Sequence, residues 1–257
     1  MQTITVSPGT AARITVDGSW TLQTHSSLAS TNLIARGLPA WSAVRAETQT
    51  GGYGRTGRAW VSDLGGLWLS AVLPSPGPRE KWAILPLAAG YALIETLASL
   101  GVRDLRLRWP NDVMVGTRKL AGLLLEQFQP GTTVVGLGLN VFNSPGAVDP
   151  ALGGHVVTLS ELLPKPGSLD EITSKILHAL RSMHGELSRN GFAGIAAVLN
   201  ARHLRATSVE ITLSGHHTPL RGRFRGIDER GRLRISTAEG FNRTFAAHEV
   251  SLLRELG

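Results

Sequence analysis

The chain has 257 residues, 42% of them apolar, enough for a full core in one large domain or in one domain plus a small appendage. It has no cysteine, which excludes disulfides, thiolate metal sites and a cysteine nucleophile. Lysine and arginine outnumber aspartate and glutamate by 26 to 19, for a net charge of +7, but they sit singly for the most part, so the excess speaks to solubility more than to a nucleic-acid site.

No uninterrupted run approaches the roughly 18 apolar residues of a membrane span, and Met1-Gln2-Thr3 begins no basic-then-apolar leader, so a cytoplasmic protein with no membrane partner is expected. Up to about Thr24 the chain alternates weakly around Asp17-Gly18, as in a short hairpin. Ser30-Thr31-Asn32 precedes Leu33 to Gly37 and reads as the cap of a short helix whose first amides and hydroxyls can face a ligand. Ala43 to Thr48 reads as a strand, with Gln49 at its exit.

That strand feeds Gly51-Gly52-Tyr53-Gly54-Arg55-Thr56-Gly57-Arg58-Ala59-Trp60, in which glycines alternate with two arginines and the run ends on tryptophan. Glycine brings backbone amides close to a bound group, and guanidinium supplies a permanent cation shaped for carboxylate or phosphate. Gly52 to Gly57 literally satisfies G-x-G-x-x-G, yet the apolar run Leu67 to Leu73 that follows is closed by Pro74 and reads as a strand, so the dinucleotide fingerprint lacks its helix. No Gly-Lys-Ser/Thr follows either, which excludes a P-loop. The run suits an anionic, phosphate-bearing ligand, and an arginine-bearing surface turn is the alternative that the loop alone leaves open.

Lys81 to Leu100 carries apolar residues at helical spacing and reads as a packing helix. Arg106 to Val115 alternates as one half-buried strand interrupted by Pro110, with the polar pair Asn111-Asp112 at the interruption. Gly116-Thr117-Arg118 turns the chain back into Lys119 to Glu126, an antiparallel partner. In the buried strand Val134 to Val141, Gly136 and Gly138 leave room for a close neighbour, and Asn140 is a lone amide that needs a partner. Phe142 to His155, rich in glycine and proline, is a loop that can order over a ligand. Thr158-x-x-Glu161 and Ser168-x-x-Glu171 are capping boxes, the second opening an amphipathic helix that stops at Asn190-Gly191. Phe192 to Leu204 reads as another helix.

Beyond about Arg205 short alternating runs take over, with turns at Gly215-His216-His217, Asp228 to Gly231 and Glu239-Gly240, as in a small β-barrel domain. Arg221, Arg223 and Arg225 share one strand face, and Arg230, Arg232 and Arg234 repeat the spacing on what reads as a solvated surface. The histidines offer no i, i+4 pair on a helix face, so no metal site is expected.

Five motifs in order, Ser30-Thr31-Asn32, Ala46 to Arg58, Arg108-Trp109-Pro110-Asn111-Asp112, Lys119-Leu120-Ala121-Gly122-Leu123-Leu124 and Gly136-Leu137-Gly138-Leu139-Asn140, make the chain resemble the biotin protein ligases from about Ser30 to its end. The resemblance implies an α+β fold: a mixed-sheet catalytic domain of the biotin/lipoate ligase kind over residues 1–205, and a small SH3-like β-barrel domain over 206–257. It implies a ligase that joins biotin to ATP, with Mg²⁺, as biotinyl-5′-AMP, then passes biotin to a lysine of a biotin carboxyl carrier domain.

By the same resemblance, Lys119 touches the biotin carboxyl and then the adenylate, Arg55 holds the phosphate, and Asp112 orients the lysine or the metal. Ser30, Thr31 and Gln49 hydrogen-bond the ureido ring, with Asn32, Gly52, Tyr53 and Gly54 beside them. Asn111, Asn140, Arg58 and Trp60 lie toward the nucleotide, Arg58 chiefly stabilising the loop. The family commonly has Gly-Arg-Gly-Arg in the loop, whereas here the first arginine is Tyr53. Ser30 comes too early to leave room for the helix-turn-helix domain of some relatives, so no nucleic-acid binding is expected, and a monomer or weak homodimer is. Two rival readings are a lipoate or octanoate ligase or transferase, whose thioester route through cysteine is closed here, and a non-catalytic nucleic-acid-binding regulator using the arginine face.

Overall fold

A computed structural model describes residues 13–16, 19–205, 207–216, 218–238 and 240–256. Met1-Gln2-Thr3, the Asp17-Gly18 turn, Ala206 at the expected domain boundary, and His217 and Glu239 in two expected turns lie outside the described residues. The first half comprises β1 (Arg13–Val16), β2 (Thr21–Leu28), α1 (Thr31–Ala35), β3 (Ser42–Gln49), β4 (Leu67–Ser75), α2 (Leu85–Ser99), β5 (Leu105–Arg108), β6 (Asp112–Val115), β7 (Arg118–Gln129) and β8 (Gly131–Leu139). Next come the short helices α3 (Pro145–Val148) and α4 (Leu159–Leu162), then α5 (Leu169–Asn190) and α6 (Ala193–Val198). The chain ends in β9 (Ser208–Leu213), β10 (Leu220–Ile227), β11 (Leu233–Ser236), β12 (Asn242–Phe245) and β13 (Val250–Leu256).

The first eight strands form one mixed sheet, ordered β1-β2-β3-β4-β8-β7-β6-β5, in which β2 and β3 run parallel and the other pairs antiparallel. The last five form a second, antiparallel sheet, ordered β12-β11-β10-β9-β13. This is the α+β architecture expected, with a small all-β unit at the C-terminal end.

Period-two alternation divides the large sheet into two different faces. Leu67, Leu69, Ala71 and Leu73 of β4 and Val135, Leu137 and Leu139 of β8 point into the main core beneath α2 and α5. The intervening positions carry Trp68, Ser70 and Val72 of β4, Gly122, Leu124 and Glu126 of β7, and Val134, Gly136 and Gly138 of β8, so the opposite face has a patch around Ser70 and the three glycines with small side chains where the first carries leucine. A patch this poor in bulk can be approached closely by another group, and the site lies there.

The segment Arg79–Ser99 has the length and hydropathy of a membrane span, but 67% of its apolar window is buried within the fold, as for a core helix. Both capping boxes form, Thr158 and Ser168 each accepting from the amide three residues on while Glu161 and Glu171 reach back. The expected helix from Phe192 to Leu204 is α6 followed by a wider π turn over Leu199–His203.

The single strand expected over Arg106 to Val115 is instead a tight hairpin: β5 and β6 pair antiparallel, Arg108 opposite Asp112, around Trp109-Pro110-Asn111. Pro110 has no amide to give a ladder, and Asn111 spends its side-chain amide on the carbonyl of Leu123 in β7, so the chain reverses there. The loop expected over Phe142 to His155 holds α3 and a 3-10 turn at Pro150–Leu152.

Candidate active site

Residues 52–60 form a hairpin. Gly54 N–H donates to Arg58 O at 2.8 Å, Trp60 N–H donates to Gly52 O at 2.9 Å, and Tyr53 faces Ala59. At its tip Thr56 and Gly57 both take positive φ, 58° and 72°, so the chain reverses there in the left-handed region. The hairpin returns Trp60 against the bare strands: a Cβ on Gly138 would lie 2.6 Å from the indole, and one on Gly122 would lie 3.0 Å from it. The close neighbour that the glycines of β8 make room for is therefore the protein's own side chain. Asn32 occupies the next space in the same way, 2.5 Å from where a Gly136 Cβ would be.

Between this hairpin, the sheet, the Trp109-Pro110-Asn111 turn and the edge strand β13 lies a cavity of about 1300 Å³. Every residue assigned to biotin or nucleotide from the sequence lines it except Gly52, at the base of the hairpin, where a Cβ would press on Ser62 Oγ at 2.4 Å and on Trp60 O at 2.7 Å.

One end of the cavity is ionic. Asp112 receives Lys119 Nζ on one carboxylate oxygen and Arg108 Nη2 on the other, each at 2.6 Å. Burial pushes the Asp112 carboxyl up, but the two cations outweigh burial and hold it below the usual carboxylate range. Lys119 Nζ also lies 4.7 Å from the Trp60 ring centre. The ammonium is thus held from two sides while its remaining hydrogen-bonding capacity faces the cavity. Across from it, Arg55 Nη2 donates to Ala247 O at 2.7 Å and Val250 O at 2.9 Å, fastening the hairpin to the C-terminal sheet. Burial lowers the Arg55 pKa, Asp112 opposes that shift and Arg58 adds to it; a guanidinium stays cationic regardless.

The other end is neutral and short of protons. Gln49 Oε1 accepts from Thr31 N at 2.8 Å and Thr31 Oγ1 at 3.1 Å, and Gln49 Nε2 donates to Ser62 Oγ at 2.9 Å. Ser70 Oγ lies 2.7 Å from Thr31 Oγ1 and 2.5 Å from Asn32 Oδ1. Two hydroxyl protons cannot serve three oxygen–oxygen contacts. Thr31 Oγ1, which donates to Gln49 and accepts from Ser70, keeps one lone pair that a ligand N–H can use. Ser30 opens α1 without a side-chain cap bond, so its hydroxyl is not spent on the helix. Trp60 Nε1 is buried with no partner among the described residues, a donor awaiting an acceptor.

Asn111 and Asn140 are largely spoken for. Asn111 Nδ2 donates to Leu123 O, while Asn140 Oδ1 accepts from Asn143 Nδ2 at 3.3 Å and Asn140 Nδ2 reaches Val157 O at 3.4 Å. Both line the cavity through what remains of their capacity. The sequence reading passed over Arg108, Ser62, Ser70 and Glu126. Arg108 lay in plain view, four residues before Asp112, whereas Ser62, Ser70 and Glu126 gave no local signal. No cluster of three or more His, Asp or Glu suited to a metal occurs among the described residues, and both Asp112 oxygens are taken by cations.

Asp112→Asn leaves Lys119 and Arg108 without their anion. Because both cations keep partial access to water, the expected loss is about 3 kcal/mol at neutral pH, the low end for breaking a buried pair. A carboxyl held below its ordinary pKa contributes fully above about pH 4 and progressively less as acid passes through the folded value. The gap in unfolding free energy between wild type and variant is therefore flat above that pH and closes below it, which urea titrations across the acid range measure.

Residues 21–141 match the model of the "Biotin/lipoate A/B protein ligase family", and residues 208–253 match the "Biotin protein ligase C terminal domain". The biotin–[acetyl-CoA-carboxylase] ligase of Mycobacterium tuberculosis is 35% identical over 198 residues, covering 73% of this chain and 70% of that protein. The enzyme of the same name from Paracoccus denitrificans is 32% identical over 219 residues, 82% of this chain and 90% of its own. The chain belongs to the biotin protein ligase family. The biotin protein ligase of Aquifex aeolicus, solved in complex with biotin and ATP, superposes with a TM-score of 0.80 at 27% identity, over 91% of this chain and 99% of that one.

Proposed function

We propose that this biotin protein ligase condenses biotin with ATP in the 1300 Å³ cavity and then biotinylates a lysine of a carboxylase's carrier domain. The observation that carries the reading is the Lys119–Asp112–Arg108 triad at one end of the cavity, with the hydroxyl and amide groups of Thr31 and Gln49 at the other. Such a cavity suits a molecule with a carboxylate at one end and a neutral N–H-bearing ring at the other. Biotin is that molecule. Lipoate offers no N–H to Thr31, which ranks the rival substrate second.

In the first step a carboxylate oxygen of biotin attacks the α-phosphorus of ATP. The new bond is O–Pα, the Pα–O bond to the β-phosphate breaks, and pyrophosphate leaves. Two like charges about 4 Å apart repel by about 4 kcal/mol at an effective dielectric near 20, so fixed cations are what the step requires. Lys119, oriented by Asp112, meets the carboxylate. Arg55, leaving the carbonyls of Ala247 and Val250, meets the phosphate, with Arg58 at the hairpin. Asp112 has both oxygens occupied by cations, so the charge that a nucleotide-borne Mg²⁺ would supply would add to that of Lys119 and Arg55 and would need no ligand from Asp112. In the second step a carrier lysine amine attacks the acyl carbon and AMP departs. Residues 1–205 supply the sheet and hairpin for this chemistry, and residues 206–257 close the cavity through β13. The exposed arginines are partly met at home, Arg221 by Glu210 and Arg232 by Asp228, which favours a solvated face over a nucleic-acid surface.

Pyrophosphate exchange into ATP tests the reading: it is expected with biotin and absent with lipoate, and exchange supported equally by both acids would overturn it. Gly138→Ala pushes the Trp60 indole out of its seat, so the KM for biotin is expected to rise tenfold or more with little change in thermal stability; titration of exchange rate against biotin measures it.

A further inference from the structure

The position that departs from the usual loop pattern has found its own partner. Tyr53 Oη donates to Glu126 Oε2 at 2.9 Å, and the same carboxylate oxygen accepts from Asn32 Nδ2 at 2.6 Å. Glu126 stands on β7, whose cavity-lining residues Leu124 and Gly122 precede it on the same face, so this bond ties the hairpin to the sheet beside the cavity. Burial and then Glu126 push the Tyr53 hydroxyl up to about 12, so it keeps its proton at any ordinary pH. The chain of contacts continues from Glu126 through Asn32 and Ser70 to Thr31 and Gln49, the last two being groups assigned above to the ureido ring.

We propose that Tyr53 and Glu126 form a latch that holds the glycine hairpin shut over the ureido end of the cavity. Tyr53 is a positioning residue: it fixes the backbone of Gly52 to Gly54 and, through Glu126, the rotamer of Asn32. Arg55 ties the same hairpin to the C-terminal sheet one residue beyond Gly54, and the two tethers have different fates. Arg55 has to leave its carbonyls to meet a phosphate. Tyr53 has no such duty, so it keeps the ureido end closed while the phosphate end opens, and the adenylate is retained until a carrier lysine arrives. The part played in the substrate cycle rests on the ligase reading; the latch itself does not.

Limited trypsinolysis of the full chain without ligands reads the latch at Arg55, which is half-buried and bonded to the carbonyls of Ala247 and Val250, so that cleavage after it requires the hairpin to lift; Arg58 is exposed at the tip and serves as the internal reference. Tyr53→Phe keeps the ring and removes the hydroxyl, and is expected to speed cleavage after Arg55 roughly tenfold relative to cleavage after Arg58, in line with loss of a hydrogen bond to a charged acceptor. Glu126→Ala should match it, Glu126→Gln should stay within about twofold of wild type because an acceptor oxygen survives, and Tyr53→Phe/Glu126→Ala should be no faster than either single change. Equal cleavage of Tyr53→Phe and wild type overturns the latch, as does additivity in the double variant.

In biotin-dependent exchange, Tyr53→Phe should raise the KM for biotin about tenfold while kcat moves less than threefold, with the ratio to wild type unchanged from pH 6 to 10 because the hydroxyl does not titrate there. Exchange missing from the wild type, with cleavage still accelerated in Tyr53→Phe, sinks the ligase reading and leaves the latch standing. Normal exchange with an unmoved hairpin and an unmoved KM does the reverse.

Discussion

Lys119→Ala is expected to cut biotin-dependent pyrophosphate exchange by about a hundredfold to a thousandfold, the usual cost of removing one preorganised group that stabilises developing charge. The fold should survive the change, because Asp112 keeps Arg108 at 2.6 Å and so is not stranded. Thermal unfolding of the variant should accordingly stay near wild type while activity disappears, and this separation distinguishes a chemical role from a structural one. The loss should appear in kcat and kcat/KM together, since the ammonium matters most when carboxylate and phosphate are forced into contact. Exchange within a few-fold of wild type would remove Lys119 from the reaction and with it the argument from charge. Lys119→Arg is not a rescue: a planar guanidinium cannot sit on Asp112 and above the Trp60 ring in the geometry of the compact ammonium.

Arg55→Ala should lower exchange by about a hundredfold for a similar electrostatic reason, but with a second effect that Lys119→Ala lacks. The carbonyls of Ala247 and Val250 lose their donor, and each acceptor left without one costs about 1 kcal/mol where water does not replace it. The C-terminal sheet should therefore hold less firmly to the hairpin. Amide hydrogen exchange over residues 247–252 should speed up in Arg55→Ala and stay unchanged in Lys119→Ala. A variant that loses activity without any change there would mean that the Arg55 bonds to the C-terminal sheet contribute nothing to its docking. Retention of full exchange would leave the phosphate without its assigned cation.

The two expectations differ because the two cations are held differently. Lys119 is fixed by an anion and an aromatic face, both within the large sheet and its hairpin, so it is ready before substrate arrives. Arg55 is held by two neutral carbonyls of another part of the molecule, which on the proposed reading a phosphate outbids, as a charged acceptor does. On the proposed reading, closing of the nucleotide end is linked to the contact between hairpin and C-terminal sheet, which would give those last strands a part in adenylation even though none of their side chains is assigned to biotin.

The sequence by itself determined the chemistry and most of the elements. Glycines 136 and 138 in an otherwise leucine-rich strand announced a close neighbour, the capping boxes at Thr158 and Ser168 set two helix starts, and five short motifs in order carried the family. These signals are local: each depends on residues within a few positions of one another, where spacing alone fixes which side chains share a face. What the tertiary structure decided is everything that pairs residues far apart in the chain. Pro110 was visible as an interruption, but that the chain folds back on itself there, setting Arg108 opposite Asp112, depends on Asn111 finding Leu123. Glu126 was merely the charged end of an apolar run until β7 brought it under Tyr53, 73 positions away, and Arg55 was a free cation until the carbonyls of residues 247 and 250 reached it. Hydrogen bonds and ion pairs act over about 3 Å and are blind to chain distance, so a single sequence names the groups capable of them and only the packed sheet chooses the partners.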